Sequence, residues 1–259
     1  MIFDTHAHYD DSAFDEDRDR LLHALHDSGN IDKIVNIGAS RRGCFDTVKL
    51  TEQYDFVYGA VGVHPEDIAQ ADEAFMTQLA AWSQNEKIVA IGEIGLDYHY
   101  DEPEPQLQKS WFARQIALAR EVRLPMVIHS RDGAKDTIDV MQAEHASDIG
   151  GVIHCYSYSK ETARTFLNMG FYFGIGGVLT FKNSKKLKEA VSYLPLDRIV
   201  VETDCPYLAP EPFRGKRNQS DYISYVLDVL AQLKGISREE AERVTYENGH
   251  KLYGMPLGS

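Results

Sequence analysis

The chain has 259 residues, and its 43% hydrophobic content is enough to build one sizeable core. Its 27 basic and 40 acidic residues give a net charge of −13, which argues against nucleic-acid binding through a broad basic surface. No apolar run approaches the roughly 18 uncharged residues of a membrane-spanning helix, so the sequence excludes a membrane span.

The cysteines and the first residues predict a cellular location. Cys44, Cys155 and Cys205 are odd in number and lack Cys-x-x-Cys spacing, which is typical of a reducing compartment. The first strand begins at once, without the basic flank and apolar core of a signal peptide. We therefore expect a cytoplasmic protein.

Short apolar runs alternate with amphipathic helical patterns along the chain. Eight runs are predicted to be strands, at residues 2–8, 33–38, 57–63, 88–94, 125–129, 151–154, 171–175 and 198–203. Helical patterns lie in most of the gaps, for example at residues 15–28, 72–84, 104–122, 131–146 and 160–169. The seventh gap carries a weaker pattern, at residues 183–193.

Two more helices are predicted beyond the eighth strand, at residues 221–234 and 237–253. Gly235 separates them, and Ser237 with Glu240 three residues later is typical of a capping box. We find no internal repeat, low-complexity tract or linker. The pattern therefore predicts a single domain over residues 1–259, a TIM-type (β/α)8 barrel with extra C-terminal helices.

Titratable side chains lie at the ends of five of the predicted strands, where the chemistry of such barrels collects. The first strand ends in His6 and His8, and later strands end in Glu93, His129, His154 and Asp204. Each residue alone would be explained as a core histidine or a helix-capping acid. Their recurrence on five strands predicts a metal site.

This set of four histidines and two carboxylates is larger than one tetrahedral zinc ion needs. It favours two divalent ions about 3.5–4 Å apart, with Glu93 as the bridge. The expected chemistry is hydrolysis, in which the metals lower the pKa of a shared water and Asp204 accepts its proton. Imidazoles favour zinc or manganese and carboxylates tolerate magnesium, so the identity of the metal stays open.

Two local clusters of basic residues interrupt the acidic composition. The first consists of Lys182, Lys185, Lys186 and Lys188, and the second of Arg214, Lys216 and Arg217. For the lysines we favour an explanation as solvated helix and loop charges.

Arg131 shares strand parity with His129 and is expected to point toward the same end of the barrel. A guanidinium there suits a phosphate oxygen, and a salt bridge to Glu202 or Asp97 is the equal alternative. Together with Arg214 and its neighbours, Arg131 favours a phosphate-bearing substrate over an amide, a lactone or a carboxylic ester.

The chain resembles the TatD-like deoxyribonuclease family of the metal-dependent hydrolase superfamily. The resemblance rests on motifs in the family's order along the whole chain: Phe3-Asp4-Thr5-His6-Ala7-His8, Gly62-Val63-His64-Pro65, Gly92-Glu93-Ile94-Gly95-Leu96-Asp97-Tyr98, His129-Ser130-Arg131, His154-Cys155-Tyr156, Glu202-Thr203-Asp204-Cys205-Pro206-Tyr207-Leu208 and Arg214-Gly215-Lys216-Arg217-Asn218. The histidine pair is shared across the superfamily. The glutamate on strand four, with Gly-Val-His-Pro before it, marks this branch.

The resemblance implies a deoxyribonuclease that removes nucleotides from single strands in the 3′ to 5′ direction. It implies that the six residues at the strand ends bind two divalent ions, and that His64 and Arg131 face the substrate phosphate. We add Arg214 as a substrate-binding residue, and take Asp204 and Glu93 as catalytic.

Two departures from the family pattern put the substrate preference in doubt. Ser220 stands where members commonly carry proline, and Phe213 stands where a histidine is frequent. Since serine leaves φ free, we expect the loop before residue 220 to be less constrained.

DNA is the expected partner, and no membrane or obligate protein partner is predicted. A metal-dependent hydrolase of small amides, lactones or esters remains the alternative. A protein that merely holds metal is disfavoured, because structural zinc sites are closed and small. The choice between DNA and RNA, exo- or endonuclease action and the oligomeric state stay open.

Overall fold

Eight parallel strands form a ring in this computed structural model, which describes residues 1–257. The strands neighbour one another in chain order: β1 (Ile2–Ala7), β2 (Ile31–Gly38), β3 (Val57–Val61), β4 (Ile88–Asp97), β5 (Met126–Arg131), β6 (Gly151–Ile153), β7 (Tyr172–Ile175) and β8 (Ile199–Val201). A parallel bridge between Ala7 and Cys205 joins the chain after β8 to β1 and closes the ring. The predicted TIM-type barrel is confirmed.

Helices follow the strands around the outside of the barrel. They are α1 (Arg18–Asp27), α2 (Arg41–Gln53), α3 (Glu73–Trp82), α4 (Pro105–Val122), α5 (Ala134–Ala143), α6 (Lys160–Asn168), α7 (Lys185–Tyr193), α8 (Ile223–Lys234) and α9 (Arg238–Leu252). Since α8 takes the eighth position of the barrel, α9 is the additional C-terminal helix. Among the described residues no helix has the length and apolar character needed to span a membrane.

Local sequence signals set where several helices begin. The side chains of Ser40, Asp72 and Ser159 each accept a hydrogen bond from the amide three residues ahead, at the starts of α2, α3 and α6. Ser237 does the same for α9, accepting from the Glu240 amide at 3.1 Å. The predicted start of α9 is therefore confirmed.

Several strands end before the side chains that were predicted to lie on them. β1, β6 and β8 stop at Ala7, Ile153 and Val201, and β4 instead continues three residues further than predicted, to Asp97. Cys155 and Asp204 have φ values of +45° and +58°, a region that strands do not use. The chain thus turns sharply after β6 and after β8, where these strands reach the rim of the barrel.

Two apolar clusters hold the barrel together. The larger one packs the outer faces of the strands against the surrounding helices. The smaller one includes Val127 and Val152, which share strand parity with His129 and His154, and contains no residue of α1–α8. It therefore fills the barrel interior. Leu252 and Tyr253, at the end of α9, belong to the same cluster.

We predict that Phe166→Ala in α6 lowers the free energy of unfolding by about 3–5 kcal/mol, because the ring is fully buried and its removal leaves a cavity. Urea titration followed by circular dichroism measures the change. Phe45→Ala in α2 is the matched control, since this ring is 44% exposed and its loss should cost within about 0.5 kcal/mol. Equal losses in the two variants would contradict the assigned core.

Candidate metal centre

Two histidines at the end of β1, His6 within the strand and His8 directly after it, place their ring nitrogens side by side. The Nε2 atoms of His6 and His8 are 3.1 Å apart. His8 donates its Nδ1–H to the carbonyl oxygen of Ile37 at 2.9 Å, because a carbonyl can only accept. In neutral His8 the lone pair therefore lies on Nε2, turned toward the ring of His6. A metal-binding histidine commonly has this arrangement, with its other nitrogen tied to a carbonyl.

Glu93 on β4 lies between two groups of histidines and turns one carboxylate oxygen toward each. Its Oε2 is 3.6 Å from Nε2 of His6 and 3.7 Å from Nε2 of His8. Its Oε1 is 2.8 Å from Nδ1 of His129 and 2.8 Å from Nε2 of His154. A carboxylate that faces two groups of ring nitrogens in this way fits the donor set of a metal site.

The electrostatics of this buried cluster call for positive charge between its members. Burial raises the pKa of Glu93, but the histidines around it, His154 first, outweigh burial and hold that pKa well below 4.5. Burial lowers the pKa of His154, but Glu93 and Glu202 raise it well above 6.5. Protons supply the missing charge in the metal-free protein. Divalent ions suit the same donors, so the residues present fit a metal.

Asp204 completes the cluster from the β8 side. Its Oδ1 lies 3.3 Å from Nε2 of His8 and 3.6 Å from Nε2 of His6. Its φ of +58° is strained for a non-glycine residue, and its amide holds the turn by donating to the His6 carbonyl at 2.9 Å. Burial raises the pKa of Asp204, but the hydrogen bond with His8 and the nearby histidines bring it below 3.8. Asp204 is therefore ionised at neutral pH.

His64 faces the same space but presents a proton rather than a lone pair. Its Nδ1 accepts from the Glu66 amide at 3.2 Å, so the neutral ring carries its proton on Nε2. That Nε2 lies 3.7 Å from Oε1 of Glu93. Burial, with the charge of His129, lowers the pKa of His64 to about 3, which keeps the ring neutral. An N–H donor at this position suits contact with an anion.

Two adjoining cavities of about 390 and 570 Å³ open onto the centre. Arg131 lines both, and its exposed guanidinium lies 5.9 Å from the ring of Tyr100. In residues 1–257 it forms no ion pair, so the alternative of a salt bridge to Glu202 or Asp97 is wrong. The reason is that Asp97 binds His129, and Glu202 lies beside His154, 1% exposed.

Arg214 lies outside these cavities. Its guanidinium is exposed and sits over the ring of Phe181, 4.4 Å from the ring centroid. Arg217 is taken up by an ion pair with Asp17 at 2.7 Å. The structure therefore brings the six candidate ligands, His64 and Arg131 together, and leaves Arg214 beyond the rim.

Comparison with known proteins identifies this arrangement. A family model described as TatD related DNase matches residues 3–254. The chain belongs to the TatD-related DNase family. Relatives of this family are named metal-dependent hydrolases, so the chain is a member of a metal-dependent hydrolase family.

The relatives span the whole barrel. The uncharacterized metal-dependent hydrolase YabD of Bacillus subtilis is 43% identical over 253 residues, covering 98% of this chain and 99% of the relative. The uncharacterized metal-dependent hydrolase YcfH of Escherichia coli K12 is 36% identical over 256 residues, covering 98% of this chain and 96% of the relative. The crystal structure of YjjV, a TatD homolog from Escherichia coli K12, superposes with a TM-score of 0.91 at 28% identity and covers 98% of each chain.

Asp97 supports the metal centre of this TatD-family protein, a role that was not predicted from the sequence. Its Oδ2 lies 2.9 Å from Nε2 of His129, which fixes the ring so that Nδ1 points toward Glu93. The side chain of Asp97 is 2% exposed. Its parity with Glu93, four residues earlier on the same strand, is the sequence signal that predicts this placement.

Ser220 corrects the expectation that its loop is less constrained than in other TatD-family proteins. The residue is fully buried, and its amide donates to the Tyr9 hydroxyl at 3.0 Å. Its own hydroxyl donates to Oδ2 of Asp4 at 2.7 Å, so the Tyr9 hydroxyl must donate back to Ser220 at 2.8 Å. Proline could make none of these bonds. The serine thus ties the loop to the base of β1, two residues from His6.

Asp4 is the acceptor at the centre of that network. Thr203 donates to it through both its hydroxyl, at 2.7 Å, and its amide, at 3.0 Å. Burial raises the pKa of Asp4 to about 7, although the bonds from Ser220, Thr203 and His6 lower it. These contacts join β1 to the segment that carries Asp204.

We predict that Ser220→Ala lowers the free energy of unfolding by about 1–3 kcal/mol, because it removes one hydrogen bond to the buried Asp4 and leaves the buried O–H of Tyr9 without an acceptor. Ser110→Ala, at an exposed hydroxyl in α4, should change it by within about 0.5 kcal/mol. Denaturant titration of both variants makes the comparison. A Ser220 variant as stable as the Ser110 variant would show that the loop is held by other contacts.

Proposed function

We propose that this protein hydrolyses phosphodiester bonds of DNA, using two divalent ions held by His6, His8, Glu93, His129, His154 and Asp204. The observation that carries the proposal is the orientation of the Glu93 carboxylate. Its Oε2 faces one pair of histidines and its Oε1 faces the other pair. Two ions sharing a carboxylate are typical of enzymes that displace oxygen at phosphorus. Family membership supports the same reading, since the family is described as TatD related DNase.

Each group around the centre has a place in this reaction. Divalent ions, when bound, supply positive charge that lowers the pKa of water and stabilises charge developing on the phosphate. Asp204, ionised and 15% exposed to the cavity, accepts the proton of the attacking water on a carboxylate oxygen. Asp97 and the Ile37 carbonyl hold the rings of His129 and His8 in orientation.

Substrate binding is assigned to groups that present donors to the cavity. His64 offers an Nε2–H beside Glu93, and Arg131 offers an unpaired guanidinium at the cavity wall. Both suit the non-bridging oxygens of a phosphodiester, which are negatively charged acceptors. An amide or a lactone carries no such charge and would leave Arg131 without a partner. By its family likeness we propose removal of nucleotides from the 3′ end of single strands.

The direct test offers end-labelled single-stranded DNA to the purified protein with Mg²⁺, Mn²⁺ or Zn²⁺ in turn. Stepwise release of nucleotides from the 3′ end with at least one metal is expected. A parallel panel of RNA, amides, lactones and esters defines the substrate class. Turnover of a lactone or an amide, together with DNA that stays intact in the presence of each metal, would contradict the proposal.

We predict that the double variant His6→Ala with His8→Ala loses metal and activity but keeps its fold. Removal of a residue that merely supports a ligand costs roughly 10–100-fold in metal affinity or activity, so removal of two ligands should cost more. Metal per chain, DNA turnover and circular dichroism are measured together. The control replaces the exposed His23 and His145 by alanine. Wild-type turnover in the first variant would overturn the ligand assignment.

We predict that Arg131→Ala reduces kcat/KM on DNA by about tenfold or more, since a hydrogen bond to a charged group contributes about 1.5–3 kcal/mol. Arg131→Lys should recover only part of the loss, because an ammonium cannot bind two phosphate oxygens in parallel. Steady-state kinetics on a short oligonucleotide measure both. The exposed Arg123→Ala serves as control. Equal kcat/KM in the Ala variant and wild type would remove Arg131 from the substrate site.

A further inference from the structure

A second feature is a groove lined by lysines, of about 930 Å³, that lies between the start of α6 and the length of α7. We call it the lysine groove, and the residues that define it are Lys160, Lys182, Lys185, Lys186, Lys188 and Tyr193. Two glutamates also line it, Glu161 and Glu189. Five positive charges against two negative ones make this a basic surface on a chain whose net charge is −13.

The lysines of the groove are not neutralised by neighbours. Over the described range 1–257, none of the five forms an ion pair with a carboxylate. Elsewhere exposed or half-buried lysines do so: Lys109 pairs with Asp136 at 2.5 Å, Lys33 pairs with Asp32 at 2.5 Å, and Lys135 pairs with Asp139. Within residues 1–257, Lys49, Lys216 and Lys251 also form no such pair, so the groove differs from the rest of the surface in having five unpaired lysines close together. The lysine groove keeps its charge available for a ligand.

The lysine groove adjoins the metal centre through two loops. After β6, His154 and Ser157 line a cavity of the centre, and the next residues, Ser159 and Lys160, line the groove. After β7, Val178 lines the same cavity and Lys182 lines the groove. A chain-like ligand can thus reach from one to the other along a single face of the barrel.

Aromatic rings accompany these cations. Tyr193 is 42% exposed, and the ammonium of Lys160 lies 5.8 Å from its ring centroid. Phe181, beside Lys182, is 8% exposed and is covered by Arg214 at 4.4 Å, so Tyr193 is the ring on which a base can stack. Cations that follow a phosphate backbone, beside rings on which bases stack, are the combination that binds single-stranded nucleic acid.

We propose that the lysine groove binds the phosphate backbone of single-stranded DNA outside the metal centre and so extends the substrate site. The inference rests on the proposed DNA substrate. It replaces the explanation of Lys182, Lys185 and Lys186 as merely solvated charges. It also gives Arg214 a place, between the centre and the groove rather than at the scissile phosphate.

The test measures binding of fluorescein-labelled oligothymidylate to metal-free protein by anisotropy, so that no cleavage interferes. The groove variant replaces Lys182, Lys185 and Lys186 by alanine. The charge-matched control replaces three exposed cations outside the groove, Lys49, Arg123 and Lys251. Circular dichroism verifies that all three proteins are folded.

Each lysine that neutralises a phosphate of a single strand contributes roughly 0.7 to the slope of log K against log salt. The groove variant should therefore lose about 2 units of that slope, and at least about tenfold in affinity near 50 mM salt. The control should keep the wild-type slope. Equal slopes and affinities in the groove and control variants, or no binding by the wild type, would overturn the inference.

Activity separates this inference from the proposed function. With metal present, the ratio of kcat/KM for oligothymidylate to that for bis(p-nitrophenyl) phosphate should fall about tenfold or more in the groove variant alone. A wild type that cleaves DNA, with the ratio unchanged in the groove variant, refutes the groove and leaves the nuclease standing. A wild type that binds DNA through the groove but cleaves none refutes the nuclease and leaves the groove.

Discussion

An ionised carboxylate can be buried at low cost only where cations or hydrogen-bond donors lie beside it, and Glu93 sets this condition for the rim of the barrel. Its two oxygens face two different pairs of rings, so one anion organises four histidines that come from β1, β5 and β6. The nitrogen lone pairs of the facing rings repel one another unless protons or metal ions lie between them. The cluster depends on all of its members, because removing one side chain would leave another polar or charged group buried without a partner.

The rest of the rim holds this cluster in place from behind. Asp97 and the Ile37 carbonyl fix which nitrogens of His129 and His8 point inward. Asp4 gathers donors from Thr203 and Ser220, and thereby ties the start of β1 to the chain around Asp204. None of these groups lines the two cavities at the centre. Their effect is to place ligand atoms from distant parts of the chain within a few ångströms, as rigid strands and short turns allow.

The charged residues of the chain are distributed unevenly. The chain has an overall excess of acid, while within residues 1–257 cations without a carboxylate partner lie near the rim. Arg131 lies at the cavity, Arg214 lies beyond it, and the lysine groove lies further along the same face. In the proposed function this distribution would draw a phosphate backbone toward one end of the barrel, with an attraction that falls as salt rises.

The sequence by itself determined the barrel, because eight apolar runs alternating with helical patterns leave one common architecture, and it determined the candidate ligands, because polar residues recurred at strand ends. It did not determine which residues Ser220 and Asp97 bind. Their hydrogen-bond partners, Asp4 and His129, lie 216 and 32 residues away along the chain. It also could not show which cations stay free: Arg217 pairs with Asp17, whereas Lys182 and its neighbours form no ion pair with a carboxylate among residues 1–257. Hydrogen bonds and ion pairs depend on distances of a few ångströms between remote residues, and only the closure of the barrel sets those distances.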